Sequence, residues 1–532
     1  MGFDCSTFSN EYAIRTQVRG GAPLRLARGY ILDRKMDLTD AQWSSFRLFI
    51  PLLAILSILF LMVSLSIKRV TSSKVALHMY YILISLPLLL YLFKLSIVFP
   101  LAIYTVNYMI SRIFQHRRLN VVITWIFNLA ILFSSKYYDG YRFYQMFGPD
   151  YLYLDDHRGV LRWEVYFNIM FCRLISYNVD YHDSCVSYQQ KQDGTSSKVE
   201  IKSEWDEVRQ RMSEEFDLVD DFGILRYFSY LLYVPLFIAG PVISYSAFIS
   251  YVERKPQQQV NTRERIISTI QVVIYMAILD IGLHFIYAAG LNDKGAWKTG
   301  PNSILERYGI EQMSAVRAAT TGFATLLYMY MKFLVIWRFF RVWALWDGVN
   351  PPENMNRCII NNNTVSGFWR SWHSSLNVWI VKYIYVPMGG SRNKFWSVWV
   401  IFTFIALWHD LMYRWLAWAA LNCVLFFLEA IVVNIVSKMK LVVWIKDISN
   451  HSTRPYYNVL VACCCATTQM GMVLANLAIM YGFEDSFEFV KRVFWGEDYM
   501  FMMCSSMIVF FSISQVNLWI RERERIRGIK SF

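Results

Sequence analysis

The sequence predicts an all-α polytopic membrane protein, and three observations carry that prediction. Over 532 residues the chain is 55% hydrophobic and only 17% charged, where a soluble domain carries about 25% charged residues. Stretches without any Lys, Arg, Asp or Glu recur at 48–67, 75–93, 95–111, 119–135, 227–252, 455–483 and 499–520. A helix crossing the hydrocarbon needs about 20 mostly apolar residues, and only helices or closed barrels satisfy their backbone groups there. None of these stretches alternates apolar and polar residues at the period of a strand, so helices are expected. The less strict runs 266–291, 314–346, 394–410 and 411–437 bring the expected membrane segments to roughly ten or eleven. Residues 163–178 are a further candidate, as a membrane segment or as one lying only in the interface.

Taken in order, residues 1–46 form a polar, mildly basic segment, which is not the pattern of a cleavable signal peptide. The 48–67 run then serves as the insertion signal. Residues 47–178 hold the N-terminal membrane helices. Residues 179–222 carry twelve acidic and five basic side chains, with "SEWDEVRQRMSEEF" patterned as an amphipathic helix, and read as a solvent-facing loop. Core helices follow over 223–346. A second polar stretch, "DGVNPPENMNRCIINNNTVS" (347–366), opens the region 347–440. C-terminal membrane helices occupy 441–520, and 521–532 is a basic tail. No internal repeat is visible.

The net charge of +13 does not indicate a nucleic-acid partner, because the Lys and Arg residues sit mostly between apolar segments and at the end. "IRERERIRGIK" carries five basic and two acidic side chains, a pattern that suits a membrane face beside anionic lipid. The nine cysteines show no paired spacing, which argues against a disulfide framework or a zinc site.

Chemistry concentrates in "GFWRSWHSSLNVWIVKYIYVPMGG" (367–390). Trp369, Trp372, His373, Leu376, Trp379, Ile380 and Tyr383 share one helical face, while Arg370, Ser374 and Asn377 line another. The spacing predicts one helix ending before Pro387 and Gly389-Gly390. A helix with Trp on one face and polar atoms on the other lines a cavity or lies re-entrant at the membrane edge. The following run, "SVWVIFTFIALWHDLMYRWLAWAALNCVLFF", buries His409 and Asp410. Ionisable groups inside membrane spans cost a few kcal/mol and suggest function. Arg414, four residues beyond Asp410, offers that aspartate a structural ion pair and leaves His409 unexplained.

"FWRSWHSSLNVWIVKYIYVPMGG", followed 36 residues after His373 by "ALWHD", resembles the signature of the membrane-bound O-acyltransferases. More narrowly it resembles the branch with the glycerol-uptake (GPI-anchor remodelling) proteins and Hedgehog acyltransferase. "LWDGVNPPENMNRC" looks like the same branch, and "YLLYVPLFIAGPVISY" (230–245) looks like the family's first core segment. The resemblance is dense over about 340–432 and weaker upstream. It implies a helical core around a central tunnel. It also implies fatty acyl transfer from acyl-CoA to an acceptor hydroxyl or amine in the endoplasmic reticulum membrane.

By that resemblance His409 matches the family's catalytic histidine. A neutral imidazole, with an ordinary pKa near ~6.5, is suited to take the acceptor's proton. Other members carry Asp or Asn at the position of His373, so His373 is expected to orient the acceptor or steady the developing oxyanion. Trp369, Arg370, Trp372, Asn377 and Trp408 are expected along the substrate tunnel. Two readings stand for Arg370: a CoA phosphate anchor or a side chain reaching the headgroups. The aromatic stripe reads equally as core packing. Cys358, in "NRCII", resembles the cysteine that ligates haem in the Hedgehog enzyme. A thiolate is a competent axial ligand, and an ordinary packed cysteine is the alternative.

The acceptor expected from the branch is a lipid, foremost a lyso-GPI anchor. An N-terminal protein palmitoyltransferase is the alternative, with His373 standing where the Hedgehog enzyme is acidic. A proton-coupled polyol carrier using Asp280, His284 and His409 ranks lower, because such carriers show related halves. Asp280 and His284, at i, i+4, read better as a structural pair. Two sequons, at Asn362 and Asn450, leave glycosylation open.

Overall fold

The computed structural model describes residues 26–71, 73–193, 219–253, 261–293, 295, 297–298, 313–438, 454–496 and 498–528. Two short strands, β1 (Leu26–Arg28) and β2 (Lys35–Asp37), pair antiparallel. Every other labelled element is a helix. Asp40 caps α1 (Ala41–Val70) by accepting from the Trp43 N–H at 2.8 Å, which satisfies one of the orphaned donors at a helix start. The segment assigned to 1–46 therefore gives its last residues to the first membrane helix.

α2 (Lys74–Phe93) and α3 (Val98–Phe114) are one long rod bent at Lys94, whose φ is +46°. α4 (Arg118–Tyr137) returns beside them. α5 (Trp163–Gln192) is the centre of the core: Phe171, Cys172, Leu174, Ile175 and Tyr177 have no exposed surface. This corrects two expectations. Residues 163–178 are a buried helix rather than an interfacial one, and that helix runs on to Gln192, so 179–192 is not loop. Asp180 explains the extension, since its carboxylate accepts from Lys382 Nζ (2.8 Å), the Tyr383 hydroxyl (2.7 Å) and the Ser246 N–H (3.0 Å). The "SEWDEVRQRMSEEF" segment lies outside the described residues.

The run 227–252 is not one span. It divides into α6 (Ile224–Leu231), a single turn at Val234–Phe237 and α7 (Tyr245–Glu253). Pro235 and Gly240-Pro241 interrupt it, because proline lacks the N–H a helix interior needs. α8 (Thr262–Gly282) and α9 (Ala315–Trp346) pack together. The strand hairpin and α1 together grip the end of α8. Arg47 Nε donates to Asp280 at 2.7 Å, the Tyr30 hydroxyl donates to the same carboxylate, and the Tyr30 N–H reaches His284 Nε2 at 3.3 Å. Asp280 and His284 are thus a structural pair.

α10 (Val365–Ser371) and α11 (Ser374–Ile380) come next, followed by a π-helical turn over Val381–Tyr385. α12 (Lys394–His409) and α13 (Tyr413–Lys438) form a hairpin, and α14 (Arg454–Tyr481), α15 (Phe483–Phe494) and α16 (Tyr499–Ile526) complete the described chain. The residues 521–526 assigned to the tail are helical and docked: Arg357 makes two 2.9 Å contacts to Glu524, and Arg521 donates to the Asn361 carbonyl at 2.8 Å.

Among the described residues, eight helices are long and apolar enough to cross a membrane. The eleven expected runs reduce to these eight in three ways. The 75–93 and 95–111 runs continue as one rod, 227–252 is broken, and α12 has only 16 residues. A buried carboxylate ties the bundle together. Asp347, at the end of α9, accepts from Lys68 Nζ and from the Tyr81 and Tyr233 hydroxyls, all at 2.7 Å, and from Ser64. A carboxylate so buried is tolerated because every lone pair has a donor.

Candidate active site

The motif helix expected over 367–386 breaks at His373. Trp372 is extended (φ −82°, ψ +126°), and His373 is left-handed (φ +48°, ψ +47°). The cause is the polar stretch before it. Met355 bridges antiparallel to Trp372, the Ser374 N–H donates to the Asn354 carbonyl at 3.0 Å, and the Asn356 N–H donates to the Ser371 carbonyl at 3.2 Å. The two serines of the motif are anchors. Ser374 Oγ accepts from Asn356 at 2.8 Å, and Ser375 Oγ donates to the Asn354 side chain while accepting from the Val242 N–H at 2.9 Å. A non-glycine residue in the left-handed region costs energy and persists where its surroundings over-determine it. The helical stretch does end before Pro387, and Gly389 has a φ of +97° that a side chain would strain.

The break brings both faces of the motif to one cavity of about 1650 Å³. Trp369, Arg370, Trp372, His373, Asn377, Trp408 and His409 all line it, so the separation of an aromatic from a polar face does not survive folding. His373 packs edge-on to Trp337 with centroids 4.4 Å apart, and its Nδ1 is buried without a partner. Trp408 lies against both imidazoles, 6.3 Å from His373 and 4.9 Å from His409. Its indole is aimed by a 2.8 Å bond from Nε1 to the Asn168 carbonyl. His409 ends α12 and stacks on Trp415, and neither of its ring nitrogens bonds another described residue. Trp369 packs edge-on to Phe402 and Trp418.

Among the described residues, the charged side chains on the cavity wall besides the histidines are Arg162, Arg370, Lys394 and Arg414. All four are basic. Arg162 is neutralised by Asp139 and Glu164, whereas Arg370 and Arg414 form no ion pair or hydrogen bond with other described residues. The expected Asp410–Arg414 pair is not made. Asp410 leaves the helix in an extended conformation (φ −165°) and bonds the Leu411 N–H, which turns its carboxylate away from the i, i+4 geometry.

Cys358 does not line the cavity. It packs with Ile359 and Trp372 against Tyr330, Leu334 and Met355. Among the described residues no cluster of three or more His, Cys, Asp or Glu side chains accompanies it. Asn362 is buried and bonded to the Cys358 carbonyl at 3.1 Å, so its sequon is not free to carry a glycan. Asn450 lies outside the described residues. Trp337, Asn168, Asn354, Trp415 and Lys136 shape the site and were not visible in the sequence. Only Asn354 carried a signal, its place in the polar stretch that enters the motif.

The class of protein follows from comparison. The signature of the membrane-bound O-acyltransferase family, MBOAT, matches residues 71–466, and the chain belongs to that family of acyltransferases. It is similar along most of its length to particular members. Membrane-bound O-acyltransferase gup1 of Schizosaccharomyces pombe is 30% identical over 514 residues, 95% of this chain and 83% of the relative. Membrane-bound O-acyltransferase GUP1 of Saccharomyces cerevisiae is 29% identical over 95% of this chain and 86% of its own length. Protein-cysteine N-palmitoyltransferase HHAT of Mus musculus is 22% identical over 50% of this chain and 51% of its own.

Proposed function

We propose that the protein transfers a long-chain fatty acyl group from acyl-CoA to the hydroxyl of a lipid, foremost a lyso-GPI anchor, in the endoplasmic reticulum membrane. The observation that carries this reading is the meeting of two imidazoles in a cavity whose uncompensated charges, among the described residues, are basic. Arg370 and Arg414 suit the phosphates of CoA. His409, whose ring nitrogens bond no other described residue, takes the acceptor's proton as its oxygen attacks the thioester carbonyl. The C–S bond breaks, the acyl ester forms, and the CoA thiolate leaves and recovers that proton. The unpartnered Nδ1 of His373 orients the acceptor or the developing oxyanion. Thiolate is a good enough leaving group that no acyl-enzyme is needed.

A lipid acceptor is favoured by the cavity's lateral side. Phe49, Leu52, Tyr91, Val160 and Val165 line it and are exposed, an apolar wall suited to a lipid chain. A polyol carrier is disfavoured, because Asp280 and His284 are held by Arg47 of α1 and Tyr30 of the strand hairpin and do not line the cavity. The test is labelled palmitoyl-CoA offered to purified protein with lyso-GPI, lysophospholipids and a peptide with an N-terminal cysteine. Label on a lipid supports the proposal. Label on the peptide alone makes the enzyme a protein acyltransferase, and label on none overturns the reading.

A further inference from the structure

We infer that Lys136 is a positioning residue for His409. The inference rests on the reading of His409 as the base. A helix leaves its last four carbonyls without partners, and α12 ends on the residue expected to do the chemistry. The Asp410 N–H takes the Ala406 carbonyl at 3.0 Å. Lys136, on the last turn of α4, takes the next two: its Nζ donates to the Leu407 carbonyl at 3.0 Å and to that of Trp408. The Trp408 carbonyl belongs to the peptide joining Trp408 to His409, so this contact holds the plane from which the imidazole departs. A cation is also the favoured charge at a helix C-terminus.

The geometry leaves little else to do that work. Among the described residues neither His409 ring nitrogen has a hydrogen-bond partner, and the neighbouring Asp410 carboxylate bonds the Leu411 N–H instead. Trp415 stacking fixes the ring's tilt, and the bond from Trp408 Nε1 to Asn168 fixes the residue before it. Lys136 fixes the backbone between them. It does not line the cavity, so it touches no substrate and is not a catalytic residue. A sub-ångström displacement of a general base is costly, since a misplacement of about 1 Å can lower a rate by ~10²-fold.

The experiment uses the full-length protein in nanodiscs with labelled palmitoyl-CoA and whichever lipid acceptor it accepts. Lys136→Met is expected to lower kcat ~10- to 100-fold with the KM for palmitoyl-CoA and the melting temperature close to wild type. Lys136→Arg, which can still donate to both carbonyls, is expected to recover most of the rate. If Lys136→Met does not survive purification, Lys136→Gln is read by the same split. An unchanged kcat in Lys136→Met beside an inactive His409→Ala overturns this inference alone. So does a loss of rate and melting temperature together that Lys136→Arg does not repair. Full activity in His409→Ala overturns the base assignment itself.

Discussion

The imidazole of His409 lies flat on the indole of Trp415, with ring centroids 4.4 Å apart and planes 6° from parallel. Stacking occupies a face of the ring, and His409 lines the cavity. Offset contact between such rings contributes about 0.5–1.5 kcal/mol beyond burial, enough to favour one tilt. Trp415→Phe should therefore keep most of the turnover, and Trp415→Leu should lower kcat by roughly tenfold, that energy expressed as a rate. Steady-state acyl transfer by the two variants checks this, and equal rates would remove the stack from the account.

His373 occupies the left-handed region with a φ of +48°. Asn tolerates that conformation and β-branched residues do not. His373→Asn is expected to purify with a melting temperature near wild type and to lose about tenfold in rate through the missing imidazole contact. His373→Val should be destabilised by ~1–3 kcal/mol, the cost of a forced backbone. Thermal unfolding in detergent separates the two.

Arg370 and Arg414 are cavity cations that form no ion pair or hydrogen bond with other described residues. Replacing both with Ala should raise the KM for acyl-CoA ~10-fold at low salt and leave kcat within about twofold, because they hold phosphate rather than the reacting atoms. The difference should shrink near 1 M salt, where the Debye length is about 3 Å. A fall in kcat at unchanged KM would contradict this role.

Outside the membrane spans, Glu253 offers a test of stability against pH. Burial alone would raise its carboxyl, but hydrogen bonds from His78 (2.8 Å) and from the Arg226 guanidinium, which also adds its charge, bring it down to about 2 from an ordinary 4.5. A carboxyl depressed in the folded state stabilises the fold fully above its unfolded value and loses that contribution as pH falls. The melting temperature should thus drop between pH 4.5 and 2, and Glu253→Gln should flatten that drop. Differential scanning fluorimetry across the window reads it.

The membrane class and the two histidine motifs were legible because they depend on local composition and spacing. Five residues expected along a tunnel and the two histidines line one cavity, whereas Cys358 does not. Long-range geometry was not legible. A single helix through His373 is what the periodicity of Trp369, Trp372 and Leu376 implies, and only the pairing of 354–356 with 371–374 breaks it. Asp180 looks like solvated loop acid until Lys382 and Tyr383, some 200 residues later, close on it. Lys136 carries no sequence signal, because the carbonyls it caps lie 271 and 272 residues away.

The most direct measurement is single-turnover transfer of a labelled acyl group from palmitoyl-CoA to a lysolipid by the purified protein in nanodiscs, wild type against His409→Ala. Loss of a positioned general base typically costs 10²- to 10⁴-fold, so the account predicts a fall of about that size with acyl-CoA binding retained. A His409→Ala protein that transfers at the wild-type rate would contradict it.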